Sequence, residues 1–347
     1  MKVLITGGAG FLGLHTALWF HQKGWNLIVT DIAPFEESEY PAGTVFIQHD
    51  VRDREGMSKI LKEHKPDVIV HGAAALPLWK PADIFAINVA GTQNVLDAAL
   101  EAGINRVVFV SSTAVYGIPD HHPLFEHDQL QGVGPYGESK IQAEQICERY
   151  RSEKFCVPVI RPKTFIGTHR LGVFQILYDW VESGKRIPMI GNGKNRYQLL
   201  EVDDLADAIY LASTAESKIA NDTFNVGAAK FNTVREDMKE MCDFAGNGAR
   251  PWGTPAGPVK FLLKLFEALG LSPLYKWVYG TADQDSFVSI EKAQKVLGWQ
   301  PQYSNADALI RSYKWYLEHK HEIAQGTGIT HRIAWNQGIL KLFKKMM

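Results

Sequence analysis

Short runs of β-branched and aromatic residues alternate with longer stretches of helical periodicity through the first half of the chain, the pattern of βαβ units that build a parallel sheet. The runs predict strands over 2–6 (KVLIT), 26–30 (NLIVT), 44–48 (TVFIQ), 67–71 (DVIVH), 106–111 (RVVFVS) and 156–160 (CVPVI). The stretches between them predict helices near 11–23, 53–64, 84–102 and 136–153. Parallel crossovers are right-handed, so six such strands imply a doubly wound sheet whose ligand chemistry gathers beyond the strand C-termini. From about residue 163 the pattern loosens into mixed helices, short strands and loops, including GNGKNR (191–196) and a Pro/Gly stretch at 251–258. A smaller mixed α/β lobe is expected over 163–320, with parts of 199–227 (LLEVDDLADAIYLA and DTFNVG) returning to complete a sheet domain of 1–162.

The 347 residues are 46% hydrophobic and 22% charged, which suits one large α/β domain with a second lobe and excludes a disordered or collagen-like chain. Lys plus Arg (37) and Asp plus Glu (38) leave a net charge of −1, so no global field grips nucleic acid or an acidic membrane. Cys147, Cys156 and Cys242 are odd in number and form no CxxC pair, which argues against a disulfide framework or a structural metal site. A reducing cytoplasm is expected. No run is long and apolar enough to span a bilayer, and MKVLITGGAG enters a glycine turn too early for a secretory signal.

After the first strand comes TGGAGFLG, with Gly7, Gly10 and Gly13 at the mouth of a helix and Phe11 and Leu12 between the last two. Glycine permits a sharp turn and close approach of a pyrophosphate, whose charge faces the free N–H groups of that helix. Asp31, at the end of the second strand and next to Ile32, suits the adenosine ribose of NAD and repels the 2′-phosphate of NADP. Asp50 and Val51 follow the third strand, where they can meet the adenine edge and face. His71-Gly-Ala-Ala-Ala75 follows the fourth, where Ala73 and Ala74 let the backbone come near a cofactor. His71 itself is expected to be a packed strand residue. The fold class is thus an α/β, Rossmann-type doubly wound parallel sheet with a smaller C-terminal lobe.

The fifth strand runs into VSSTAVYG (110–117), and a later helix opens with PYGESK (135–140). Tyr136 and Lys140 are four apart and share a helix face. An ammonium beside a phenol favours the phenolate, which makes Tyr136 a candidate general base while hydride leaves the substrate carbon. A strand-end serine would orient the substrate oxygen.

TGGAGFLG, Asp31, HGAAA, Asn88-Val-Ala-Gly-Thr, SSTAVYG, PYGESK, Arg161-Pro162, VDDLADA and LGWQP together resemble the extended short-chain dehydrogenase/reductases of the NAD-dependent epimerase/dehydratase family, over residues 1–318. The resemblance implies Ser112 as the catalytic hydroxyl, with Ser111 lining the nicotinamide pocket, Asn88 near the nicotinamide end and Pro162 at a turn beside it. It also implies a homodimer built on the helices near 84–102 and 136–153. Dehydratases of this kind carry an Asp-Glu pair after the catalytic Ser/Thr; here Thr113-Ala114 stands there, leaving epimerisation or simple dehydrogenation.

Nucleotide-sugar members resemble RPxNVYGP after the sixth strand, whereas this chain places Thr164 at the Asn position. They also carry an Arg where Tyr197 stands here, with Arg196 one residue earlier. Leu76 to Trp79 is apolar. The stretch 259–277 is rich in Leu and aromatic residues, and the tail 330–347 sets Ile339, Leu342, Phe343 and Met346 beside Lys341, Lys344 and Lys345. Such a basic amphipathic end suits an anionic membrane surface, or else a core or dimer face. The expected substrate is a nucleotide- or lipid-diphosphate-linked sugar. The competing readings are a hydrophobic alcohol, as in the 3β-hydroxysteroid dehydrogenases, and a non-catalytic NAD-binding sensor. Candidate substrate contacts are Leu76, Trp79, Thr113, Thr164, Arg196 and Tyr197.

Overall fold

Runs such as VIVH and VVFV lack the polar alternation of a half-exposed strand, so they pack as strands covered on both faces. The computed structural model describes residues 1–323 apart from 78, 170, 173 and 269–275. Its first half contains β1 (Lys2–Thr6), α1 (Phe11–Gln22), β2 (Asn26–Asp31), β3 (Val45–Gln48), α2 (Arg54–His64), β4 (Val68–His71), α3 (Pro81–Phe85), α4 (Gly91–Glu101), β5 (Val107–Val110), α5 (Gly134–Tyr150) and β6 (Val159–Pro162). Its second half contains β7 (Phe165–Ile166), α6 (Phe174–Glu182), β8 (Arg186–Ile190), β9 (Leu200–Glu201), α7 (Val202–Thr214), α8 (Ser217–Ala220), β10 (Thr223–Val226), α9 (Val234–Ala245), β11 (Arg250–Thr254), α10 (Ala256–Ala268), α11 (Lys276–Thr281), α12 (Glu291–Leu297) and α13 (Asn305–Ile323).

The chain divides into two units. The first comprises 1–163, 202–227 and 288–301. It holds a seven-stranded, all-parallel sheet in the order β10-β6-β5-β4-β1-β2-β3, so the expected six strands gain a seventh in β10. The order reverses between β1 and β4, which places a ligand crevice at their C-terminal ends. Leu4, Ile69, Val107 and Phe109 fill one face of this sheet together with Met57, Leu61, Leu96 and Ile146 from the helices.

Several boundaries depart from the sequence pattern for local reasons. The strand expected at 156–160 begins at Val159, because Pro158 has no N–H for the ladder and Cys156 keeps only an isolated bridge to Arg106. The helix expected over 84–102 is interrupted by a π turn at Ala86–Ala90 between α3 and α4. Leu200-Glu201 pairs with β7 in the second unit instead of joining the large sheet; from Val202 onward α7 packs on α1. Residues 288–301 belong to the first unit, not to a lobe running from 163 to 320. There Val288 bridges Leu124, and the fully buried Trp299 donates its indole N–H to the Asp204 carbonyl (3.0 Å).

The second unit has two small parallel pairs, β8 with β11 and β7 with β9, and a core of Tyr178, Trp180, Met241 and Tyr313 on α6, α9 and α13. Phe261, Leu262 and Leu265 of α10 are exposed, Phe261 by 72%. No described helix is long and apolar enough to cross a membrane. The tail 330–347 lies outside the described residues. All three cysteines are free and buried, and no metal-ligating cluster occurs among the described residues.

Candidate active site

The glycine turn is shaped by contacts no side chain would tolerate. Gly7 has φ 69°, and a Cβ there would fall 2.8 Å from the Ala73 nitrogen; one on Gly13 would fall 2.2 Å from the Gly7 carbonyl oxygen. These contacts draw α1 down onto the turn. Gly10 is its N-cap and supplies no side-chain acceptor, and the first turn holds no acidic residue. The helix therefore keeps its uncompensated N–H groups for an external anion. Phe11 is buried against His15 and Leu12 is half-buried.

Asp31 accepts hydrogen bonds from the backbone N–H groups of Ala9 (3.0 Å) and Ala33 (2.9 Å), tying the end of β2 to the turn, with Ile32 exposed beside it. Tyr40, which the sequence pattern did not single out, donates its hydroxyl to the Gly8 carbonyl (2.7 Å). An uncapped helix start, crowded glycines and a strand-end carboxylate together fit a dinucleotide.

Other expected cofactor residues sit differently. Asp50 is engaged by the Arg52 guanidinium, whose hydrogen bonds hold its carboxyl below the ordinary range. Val51 is core, packed under Gly91, so it does not offer an open apolar face. Ala73 and Ala74 are half-buried, and the Ala73 N–H reaches Thr6 Oγ1 (3.2 Å). Burial holds His71 near 3 and therefore neutral, between Thr6 and Thr92. Thr92 donates to the Asn88 carbonyl, so it accepts from Nε2–H of His71, and Nδ1 accepts from Thr6.

Asn88 is turned inward by the π turn. Its Oδ1 accepts from Ala75 N–H (2.8 Å) and its Nδ2 donates to Ser139 Oγ (3.0 Å), so its amide bonds within the protein, where the family resemblance expected a place at the nicotinamide end. Ser111, expected to line the same pocket, is buried and donates its hydroxyl to Glu144. The Pro162 carbonyl accepts from Thr113 Oγ1 (3.2 Å), which turns this candidate substrate hydroxyl toward β6.

Ser112, Tyr136 and Lys140 are brought together. Ser112 leaves β5 in extended backbone and accepts the Ala114 N–H (3.1 Å), and its hydroxyl is the neighbouring group that favours the Tyr136 phenolate. Close approach of α5 depends on glycines: a Cβ on Gly137 would lie 2.9 Å from Gly132 Cα and 3.0 Å from the Ala114 oxygen. Lys140 Nζ donates to the Val110 carbonyl (2.8 Å) and lies over the Phe109 ring.

Burial raises the Tyr136 phenol above its ordinary value, opposed by the Ser112 hydroxyl. Burial also pulls the Lys140 amine down to about 8 against the charge of Glu144. The lowered phenol expected from an adjacent ammonium is thus not found, because both groups share surroundings that disfavour either charge.

Leu76 and Trp79 of the first unit are exposed by 37% and 39%. In the second unit Thr164 and Tyr197 bond each other through their hydroxyls (2.9 Å), and burial raises the Tyr197 phenol. The Arg196 guanidinium sits between the rings of Phe231 (4.6 Å) and Phe287 (4.8 Å), with its backbone N–H on Asp285. Sequence reasoning missed Glu144, Tyr116 and Asn225, which complete a buried network with Arg161; the four-residue step from Lys140 to Glu144 was the one available signal. It also passed over Lys163, which burial lowers to about 7.

The fold and this sheet edge define a dinucleotide-binding α/β enzyme. Residues 3–227 match the NAD dependent epimerase/dehydratase family, and the chain belongs to that family of NAD-dependent enzymes. It is 36% identical over 348 residues to the Sinorhizobium fredii protein y4nG, spanning 98% of this chain and 84% of that one. It is 27% identical over 349 residues to a UDP-glucose 4-epimerase of Halalkalibacterium halodurans, spanning 92% and 97%. A Thermotoga maritima UDP-glucose 4-epimerase structure with UDP-glucose shares the fold, with TM-score 0.76, 23% identity and coverage of 92% of this chain and 100% of that one.

Proposed function

We propose that this enzyme epimerises a nucleotide-linked sugar by oxidising a secondary carbinol and reducing the ketone from its opposite face. The observation that carries the proposal is the Ser112–Tyr136 hydroxyl pair with Lys140 one turn away, followed by Thr113-Ala114 in place of an acid pair. Tyr136 takes the carbinol proton and returns it on reduction, so one group serves both directions. Ser112 orients the carbinol oxygen, and Lys140 supplies positive charge beside the site. NAD, held by the Gly7–Gly13 turn and Asp31, supplies the hydride acceptor. No further protein acid is needed, and the UDP-glucose 4-epimerases among the relatives support a UDP-sugar as substrate.

A second reading, net dehydrogenation of a hydrophobic alcohol, is favoured by the neutral Thr164–Tyr197 pair and the exposed Leu76 and Trp79. The test is to incubate the full chain with NAD and UDP-galactose and follow the sugar by NMR. UDP-glucose forming without NADH build-up, and slowed about 100-fold or more by Tyr136→Phe, supports the epimerase. NADH accumulating with apolar secondary alcohols, and no change in UDP-sugars, overturns it.

A further inference from the structure

Behind Ser112 lies an ion pair that the proposed chemistry does not use. Glu144 and Arg161 are 2% and 3% exposed, and Arg161 Nη2 donates to Glu144 Oε2 at 2.6 Å while Nε reaches Oε1 at 2.9 Å. Arg161 Nη1 also donates to the Tyr116 hydroxyl (2.8 Å) and the Glu126 carbonyl (3.0 Å), and Tyr116 donates onward to Asn225 Oδ1 (2.8 Å). The network therefore ties α5, β6, β10 and the end of β5 together. Such a buried pair adds little net stability compared with apolar residues of equal volume, so placement is the more informative consequence.

Two features aim that placement at the site. Glu144 continues the Tyr136–Lys140 stripe by one more helical turn, and it accepts the hydroxyl of Ser111, the residue immediately before Ser112. We propose that Glu144, clamped by Arg161, is a positioning residue: through Ser111 it fixes the strand end that carries Ser112, and its charge faces the Lys140 ammonium. The inference rests on the roles proposed above for Ser112 and Lys140. The charged and titratable groups acting on Lys140 are Glu144 and Cys147 on its own helix and His71, neutral, on β4; the Val110 carbonyl and Phe109 ring face it from β5.

The test is lysine side-chain NMR of the NAD-loaded full chain, with the Lys140 signal assigned by its loss in Lys140→Met. In the double variant Glu144→Gln/Arg161→Gln, which removes both charges and keeps two polar side chains, the loss of the Glu144 charge on the same helix outweighs that of the more distant Arg161 cation, and the Lys140 midpoint is expected to fall by roughly half a pH unit. The alkaline limb of UDP-galactose turnover should fall with it. A merely structural role would lower the melting temperature and leave the Lys140 midpoint of the folded protein in place; that result overturns the proposal. A moved midpoint in a protein whose parent does not turn over UDP-galactose upholds the positioning role and refutes the substrate. If the double variant does not fold, Glu144→Asp keeps the charge but draws it back by one methylene. A smaller downward shift is then required, and an unmoved midpoint again overturns the inference.

Discussion

Replacing Lys140 by methionine is expected to stabilise the folded protein near neutrality while ending turnover. Lys140 is 2% exposed, and its amine is held at about 8 against an ordinary 10.5, chiefly by burial. Below pH 8 both the folded and the unfolded chain carry the ammonium, and the folded state bears the whole cost of the shift, of order 3 kcal/mol. Between pH 8 and 10.5 the folded chain gives up its proton while the unfolded chain keeps it, so wild-type stability climbs through that window. Methionine fills a similar volume without charge, at the loss of the hydrogen bond to Val110, worth about 1 kcal/mol. The expected net gain is about 2 kcal/mol near neutrality, reaches zero at about pH 10 and reverses above it to a loss approaching about 1 kcal/mol, where only the lost hydrogen bond separates the two proteins. Urea unfolding of both proteins across this range, after removal of bound dinucleotide, measures it. Lys163, lowered to about 7 by burial, contributes its own slope to both proteins and cancels in the difference. A variant less stable than wild type at neutrality, or a gap that ignores pH, would refute the claim that burial holds the amine down.

Gly13→Ala should weaken NAD binding by about tenfold or more in calorimetry, because the new methyl meets the Gly7 carbonyl oxygen at 2.2 Å and Gly8 Cα at 2.7 Å, both backbone atoms. Asp31→Ser should shift the ratio of NAD to NADP affinity by about tenfold toward NADP, since it removes the carboxylate facing a 2′-phosphate. Gly137→Ala must push α5 away from Gly132 and Ala114; a loss of about 1–3 kcal/mol in unfolding and a kcat that falls while NAD affinity holds are expected.

Strands β1, β2, β4 and β5 were legible within a residue or two because buried parallel strands are written as unbroken β-branched runs, the half-exposed edge strand β3 was legible from its own β-branched and aromatic run, and the glycine turn was legible because its spacing serves a local geometry. What escaped depended on partners distant in sequence. The π turn that rotates Asn88 inward is explained by its bonds to Ala75 and Ser139, neither of which lies within its own helical periodicity. Ser111 and Ser112 are indistinguishable as a dipeptide, yet one faces Glu144 and the other Tyr136. The return of 288–301 to the sheet unit turns on Trp299 finding the Asp204 carbonyl.

The Tyr136 phenol shows why spacing alone misjudges electrostatics. Four residues of separation correctly put an ammonium on the same helix face, and from that neighbour alone a lowered phenol follows. Burial acts on both partners at once, penalising the phenolate and the ammonium separately, while Glu144 opposes the loss of the lysine proton. What opposes burial at Tyr136 is the Ser112 hydroxyl, while the Lys140 amine is turned to the Val110 carbonyl and draws its own support from the charge of Glu144. The partner that moves the Tyr136 phenol therefore comes from a strand end twenty-four residues earlier, and the one that supports Lys140 is held in place by an arginine on β6; residue spacing along one helix registers neither the serine nor the arginine.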